Sequence, residues 1–162
     1  MDPDHVQPIV ISGAVITVSS SRTRETDSTG ETIKILLEDA GIGITHYTII
    51  PDRIEAIRSE VIRAMERANC IVLNGGTGLT HDDCTIEAVT PLLDKQIDGF
   101  GELFRMMSFS EISSAAMLSR AVAGVSSGKA IFCIPGSTGA AKLATSALII
   151  PEIRHILTHA TR

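Results

Sequence analysis

Three observations predict an α/β fold with a largely parallel sheet. Short β-favouring runs alternate with segments of helical period. Helix-opening residues follow the ends of those runs. Polar loops marked by Gly or Pro recur at the same place, just after a strand, where open α/β sheets bind their ligands.

The elements follow in chain order. Residues 1–8 hold two prolines and two aspartates and read as a mobile tail, leaving residues 9–162 as a single domain. Ile9 to Val18 is nearly all apolar and reads as a buried strand ending in Ser19-Ser20-Ser21. Asp27-Ser28-Thr29-Gly30-Glu31 opens a helix, with Ser28 and Glu31 at capping-box spacing. That helix carries Ile33, Leu36 and Leu37 inward and stops near Gly41. Gly43 to Ile50 is a second strand. Pro51-Asp52 starts a helix with apolar residues at 54, 57, 61, 62 and 65. Cys70 to Leu73 is a third strand, feeding the loop that begins at Asn74.

Beyond that loop come short helical pieces over 85–89, 101–107 and 115–118. Ala121 to Val125 and Lys129 to Ile134 read as strands joined at Ser126-Ser127-Gly128. Pro135-Gly136-Ser137-Thr138-Gly139 is a further strand-end loop. A helix runs from about Ala140 to Ile150, and Pro151 opens another toward His159. Four loops therefore gather on one sheet edge: Ser19 to Ser21, Pro51-Asp52, Asn74 to Asp83, and Pro135 to Gly139.

Composition narrows the function. A chain of 162 residues with a 44% hydrophobic fraction sustains a core without staples, and with no Trp and one Tyr that core is aliphatic. No apolar run reaches the ~18 residues of a membrane span. The acidic start lacks the basic residues of a signal peptide, so a cytosolic location is the expectation. Cys70, Cys84 and Cys133 are far apart and odd in number, which argues against disulfides and zinc. A net charge of −5 speaks against an extended nucleic-acid face.

The chemistry concentrates at Asn74 to Glu87. Gly75, Gly76 and Gly78 let backbone approach a ligand closely, and bare N–H groups suit phosphate oxygens. The loop has neither the Walker lysine nor the GxGxxG spacing. Asp52 and Asp83 each follow a strand and could share a Mg²⁺ that grips a triphosphate. As plain helix-start residues they would complement the macrodipole instead. Asp82 is expected to face solvent. His155 and His159 are read as a solvated helix face, since no third metal ligand is in view. Phe100, Phe104, Phe109, Met106 and Met107 are core or subunit-contact residues. Arg105 and Arg120 are either phosphate clamps or interface ion-pair partners.

Together the residues resemble the MoaB/MogA family of molybdenum cofactor biosynthesis proteins, and its MoaB branch more closely. The matching stretches are Thr17-Val18-Ser19, Asp27-Ser28-Thr29-Gly30, Gly75-Gly76-Thr77-Gly78-Leu79-Thr80, Asp83-Cys84-Thr85-Ile86-Glu87-Ala88, Gly99 to Arg105 (GFGELFR), Leu118-Ser119-Arg120-Ala121 and Pro135-Gly136-Ser137. They stand in family order over about residues 10–157. The resemblance implies a three-layer α/β/α domain that assembles as trimers or hexamers. It implies adenylylation of molybdopterin by Mg-ATP with release of pyrophosphate, the product passing to a separate metal-insertion enzyme. By position it assigns Asp52 and Asp83 to catalysis and Mg²⁺. It assigns Ser19, Gly75, Gly76, Thr77, Gly78, Ser119, Pro135, Gly136 and Ser137 to molybdopterin and nucleotide binding.

Three positions depart from the family pattern. Ser20 stands where many members have Asp, Asp82 where many have Arg, and Asn74 where Thr is usual. The Arg-to-Asp difference is a swing of two charges beside a polyanion. A non-enzymatic molybdopterin carrier, or a scaffold for cofactor assembly, is the alternative expectation.

Overall fold

The computed structural model describes residues 6–162. Its centre is a six-stranded sheet in the order β2-β1-β3-β6-β5-β4. The strands are β1 (Ser12–Val18), β2 (Gly43–Ile50), β3 (Cys70–Asn74), β4 (Lys95–Gln96), β5 (Val122–Ser126) and β6 (Lys129–Ile134). β2, β1, β3 and β6 run parallel, whereas β5 and β4 are antiparallel to their neighbours. The helices are α1 (Ser28–Asp39), α2 (Ile54–Met65), α3 (Thr85–Val89), α4 (Asp98–Ile112), α5 (Thr138–Ala144) and α6 (Ile150–Ala160).

The sheet separates two apolar layers, because successive strand residues point to opposite faces. From β3, Cys70 and Val72 join Phe104, Phe132, Leu37 and Ile153 on the side of α1, α4 and α6. Ile71 and Leu73 join Ile16, Ile57, Val61 and Ile131 on the side of α2 and α3. Helices therefore cover both faces, as a parallel sheet requires. Burial pushes the thiols of Cys70 and Cys133 up to about 12, so both stay protonated.

The parallel register aligns the strand ends. Val18 pairs with Ile50, Thr17 with Asn74, and Asn74 with Ile134. The four loops predicted to share an edge therefore do share it.

Several boundaries differ from the sequence reading. The first strand starts at Ser12 rather than Ile9, and Val10 is exposed. Asn69 fixes this start by accepting the Ser12 amide at 2.9 Å and donating to Val10 O at 3.0 Å. Residues 1–5 of the expected tail lie outside the described residues. The rest of it is tied down, with Gln7 N donating to Thr158 Oγ1 at 3.1 Å. The first helix is capped by Asp27, not Ser28, because the Asp27 carboxylate accepts the Gly30 amide at 3.0 Å. The second helix begins at Ile54, after Pro51-Asp52 has turned the chain.

α4 is longer than the piece expected over 101–107, and a 3₁₀ segment over Ser113–Leu118 follows it. The two-residue β4 has no apolar alternation and so carries no strand signal in the sequence. The last two helices form one run, joined by a π segment at Thr145–Ile149. Pro151 sits in the first turn of α6, and the wider π turn fits a residue that has no N–H to offer.

Candidate functional site

The chain after β1 folds into a tight serine turn. Ser19 N donates to Ile50 O at 2.8 Å, and Ser19 Oγ accepts the Arg22 amide at 3.1 Å. This turn brings Arg22 over the strand ends, where its guanidinium donates to Gly136 O at 3.2 Å.

After β3, Gly75 and Gly76 take φ of +94° and +67°, values that side chains rarely adopt. Space also demands glycine here. A Cβ on Gly75 would strike Val18 O, and one on Gly76 would strike Thr85 Oγ1. Gly75 N donates to Ile134 O, and Thr85 Oγ1 donates to Gly75 O at 2.8 Å. The loop is thus sewn to β6 and to the start of α3.

A cleft of about 430 Å³ opens above these loops. Of the residues predicted to bind, Ser19, Gly75, Gly76, Thr77, Gly78, Ser119, Pro135 and Gly136 all line it, and Asp83 joins them. Ser137, the next residue, stands outside the lining. Its hydroxyl accepts the Ala140 amide at 3.2 Å as the N-cap of α5.

Asp52 stands at the rim rather than in the cleft wall. Ser20 Oγ donates to Asp52 Oδ2 at 2.9 Å. Oδ1 lies 3.1 Å from where a Gly76 Cβ would stand, so it faces the glycine loop. Asp83 Oδ2 accepts the Thr80 hydroxyl at 2.7 Å and the Thr80 amide at 3.0 Å. Burial pushes the Asp83 carboxyl up, but those two bonds, the Gly78 amide and the Arg120 charge outweigh it and hold it below the usual range. Asp82 is exposed, as expected. Desolvation and the carboxylates of Asp52, Glu87, Asp82 and Asp83 all push the half-buried Cys84 thiol up, so this rim carries concentrated negative charge.

Among the described residues no three His, Cys, Asp or Glu side chains converge to cage a metal. Asp52 and Asp83, each steadied through Oδ2, are the two carboxylates here that could take a divalent cation.

Arg120, expected as a phosphate clamp or an interface ion-pair partner, is engaged within its own chain. It donates to Thr77 O and Gly78 O, each at 2.9 Å, and pairs with Glu87 at 2.6 Å. It clasps the glycine loop from outside. Among the described residues Arg105 reaches only Ala121 O, at 3.5 Å. His155 and His159 lie on a different part of the surface, their Nε2 atoms 3.0 Å apart, with Glu152 against His155 Nδ1. Phe100 and Phe104 are core, while Met106 and Phe109 are exposed.

A buried network beneath the cleft went unread in the sequence. Thr17 Oγ1 donates to Asp27 Oδ2 at 2.7 Å, Tyr47 OH donates to the same oxygen at 2.5 Å, and Asn74 Nδ2 donates to Thr17 Oγ1 at 2.9 Å. The Arg22 guanidinium lies 3.7 Å from Asp27 Oδ1. Desolvation and the Asp27 charge push the Tyr47 hydroxyl up. Only the cluster Arg22 to Asp27, charged residues just after a buried strand, hinted at this network.

Known proteins share this fold. The profile of a family described as probable molybdopterin binding domain matches residues 14–155. Molybdenum cofactor biosynthesis protein B of Bacillus subtilis (strain 168) is 48% identical over 153 residues, 93% of this chain and 90% of that protein. A crystal structure of Molybdenum cofactor biosynthesis protein B superposes with a TM-score of 0.92 at 46% identity, over 96% of this chain and 99% of the other. The tungsten cofactor synthesizing protein MoaB from Pyrococcus furiosus gives 0.87 at 34% identity, over 96% and 100%. With the glycine loop, both aspartates and the four-loop edge in place, this chain belongs to the MoaB/MogA family of molybdenum cofactor biosynthesis proteins, on its MoaB side.

Proposed function

We propose that the protein acts in molybdenum cofactor biosynthesis as a Mg-ATP-dependent molybdopterin adenylyltransferase. The observation that carries this reading is the pair of anchored carboxylates, Asp52 and Asp83, beside a glycine loop in a cleft of about 430 Å³.

In the proposed reaction an oxygen of the molybdopterin phosphate attacks the α-phosphorus of ATP. A new P–O–P bond forms, the bond to the β-phosphate oxygen breaks, and pyrophosphate leaves with that electron pair. No proton need move if the attacking phosphate is already ionised. The glycine loop holds the attacking phosphate through backbone N–H groups and leaves room for both substrates. Ser19 and Ser119 add donors at the cleft wall. Asp52 and Asp83 are the residues that would hold Mg²⁺, which when bound screens the two polyanions from each other and stabilises the leaving pyrophosphate. Thr80 keeps Asp83 ionised and correctly turned.

A cytosolic protein acting before a metal-insertion enzyme fits this role. Oligomerisation has its own motive here. Leu103, Met106, Phe109, Ile112, Met117 and Leu118 are exposed along α4 and the 3₁₀ segment, an apolar stripe suited to contact with further copies of the chain. The carrier reading is favoured by one observation, the exposed Asp82 adding negative charge at the cleft rim.

The test is pyrophosphate release from Mg-ATP, with and without molybdopterin, for the wild type and Asp83→Asn. Release that requires both the pterin and Asp83 supports the enzyme. No release with intact pterin binding replaces it with the carrier.

A further inference from the structure

The serine turn after β1 divides the strand-end edge into two hollows. The first is the cleft over the glycine loop. The second, of about 470 Å³, opens on the other side of the turn, over the end of β2. Ser19 and Arg22 belong to both walls.

The two hollows differ in charge. The first contains Asp83 as well as Arg22. The second is walled by Arg22, Arg24, Ser20, Thr23 and the Thr48–Pro51 strand end, with no carboxylate in its lining. The adjacent carboxylate, Asp52, is bonded to the wall residue Ser20 at the hollow's edge, and the other two acidic side chains stand apart. Asp27 is buried and already engaged by Thr17 and Tyr47, while Glu25 is fully exposed. Arg24 is not left loose, since its guanidinium lies 5.2 Å from the Tyr47 ring centre. Arg22 is steadied by Gly136 O and Asp27, and its side chain keeps about a third of its exposure at 34%. Arg120 cannot take this part, because its donors are spent on Thr77, Gly78 and Glu87.

Asp52 stands at the boundary. Ser20, a wall residue of the second hollow, holds its Oδ2, while Oδ1 faces the loop of the first.

We propose that the second hollow is a separate subsite for a diphosphate group, held by Arg24 and Arg22, with Arg22 shared between it and the glycine-loop cleft. This rests on the adenylyltransferase reading and adds to it. The β- and γ-phosphates of the nucleotide lie over the end of β2, the pterin phosphate lies over the glycine loop, and reaction occurs where the hollows meet. Arginine suits this place because its planar fork binds phosphate through paired charge-assisted hydrogen bonds.

The test is calorimetric titration with pyrophosphate and, separately, with molybdopterin, both in the presence of Mg²⁺. The proteins are the wild type, Arg24→Gln, Arg24→Lys and Arg22→Gln. Arg24 is exposed, so its substitution leaves folding intact. Arg24→Gln is expected to weaken pyrophosphate binding about tenfold, as loss of one charge-assisted contact should. Its molybdopterin affinity should stay within about twofold, and Arg24→Lys should recover part of the loss. Arg22→Gln should weaken both ligands. Pyrophosphate should also bind with molybdopterin already in place. The proposal is overturned if wild-type protein binds no pyrophosphate, if Arg24→Gln binds it normally, or if molybdopterin displaces it. Wild-type protein that binds pyrophosphate in this Arg24-dependent way, yet binds no molybdopterin, overturns the parent reading while leaving the subsite.

Discussion

Ser20 and Asp52 hold each other in a closed two-bond ring: the Ser20 hydroxyl donates to Asp52 Oδ2 at 2.9 Å and accepts the Asp52 amide at 3.2 Å. The carboxylate is thereby fixed on one oxygen, with the other turned to the glycine loop. Ser20→Ala should leave Asp52 charged but free to rotate. Turnover is expected to fall about tenfold, the scale of a misplaced catalytic group, with the unfolding midpoint almost unchanged. Asp52→Asn should cost about a hundredfold or more. Steady-state kinetics on both variants separates orientation from charge, and equal losses would remove the orienting role from Ser20.

The acid side of the pH profile should report Thr80. The folded pKa of Asp83 is depressed, so the stabilisation it contributes is full above the unfolded value and fades as pH falls through the folded value. Wild-type activity should therefore persist down to the ordinary aspartate range near pH 4. In Thr80→Ala the two bonds reduce to the amide alone, and the acid limb should move to higher pH. An unmoved limb would mean that another group sets it.

Arg120→Ala opens the outer clasp on the glycine loop. Two carbonyls and Glu87 lose their partner, at a cost of about 2 kcal/mol in stability. Hydrogen exchange should quicken at the amides of residues 76–80. Arg120→Lys should not restore protection, since an ammonium cannot span both carbonyls and the carboxylate.

Gly76→Ala and Gly78→Ala should fail differently. At Gly76 the backbone is left-handed and a Cβ would collide with Thr85, so a loss of about 2 kcal/mol or more in stability is expected. At Gly78 the φ is ordinary, but a Cβ would stand 2.6 Å from Asp83 Oδ2. That variant should fold near normally and lose turnover. Denaturant unfolding beside kinetics tests the contrast.

Tyr47→Phe leaves the buried Asp27 carboxylate one donor short, which should cost about 2 kcal/mol. Pterin affinity should change little, because Tyr47 lies outside the cleft wall. A large affinity loss at unchanged stability would contradict this structural role.

The sequence disclosed the strand ends better than the strand beginnings. Apolar runs mark burial, and β1 was overextended because Ile9 and Ile11 are apolar without being in the sheet. β4 was missed because two exposed residues, Lys95 and Gln96, have no period to read. Gly75, Gly76, Thr77, Gly78 and Asp83 were legible because backbone and carboxylate chemistry is local to one loop. The partners of Asp27, Tyr47 and Arg120 were not, since they lie 10 to 43 residues away and pairing depends on the sheet order.

The row Ile49, Thr17, Asn74 and Ile134 is a single line of paired residues across four strands, and every loop of the site leaves its strand within two residues of it. Its mechanical consequence is that the loops cannot drift apart without shearing the sheet. The entropy of bringing the cleft walls together is lost once, during folding, rather than at each encounter with substrate. Rearrangement on binding should therefore be confined to side chains and loop tips such as Leu79 to Asp82, with the floor acting as a rigid plate.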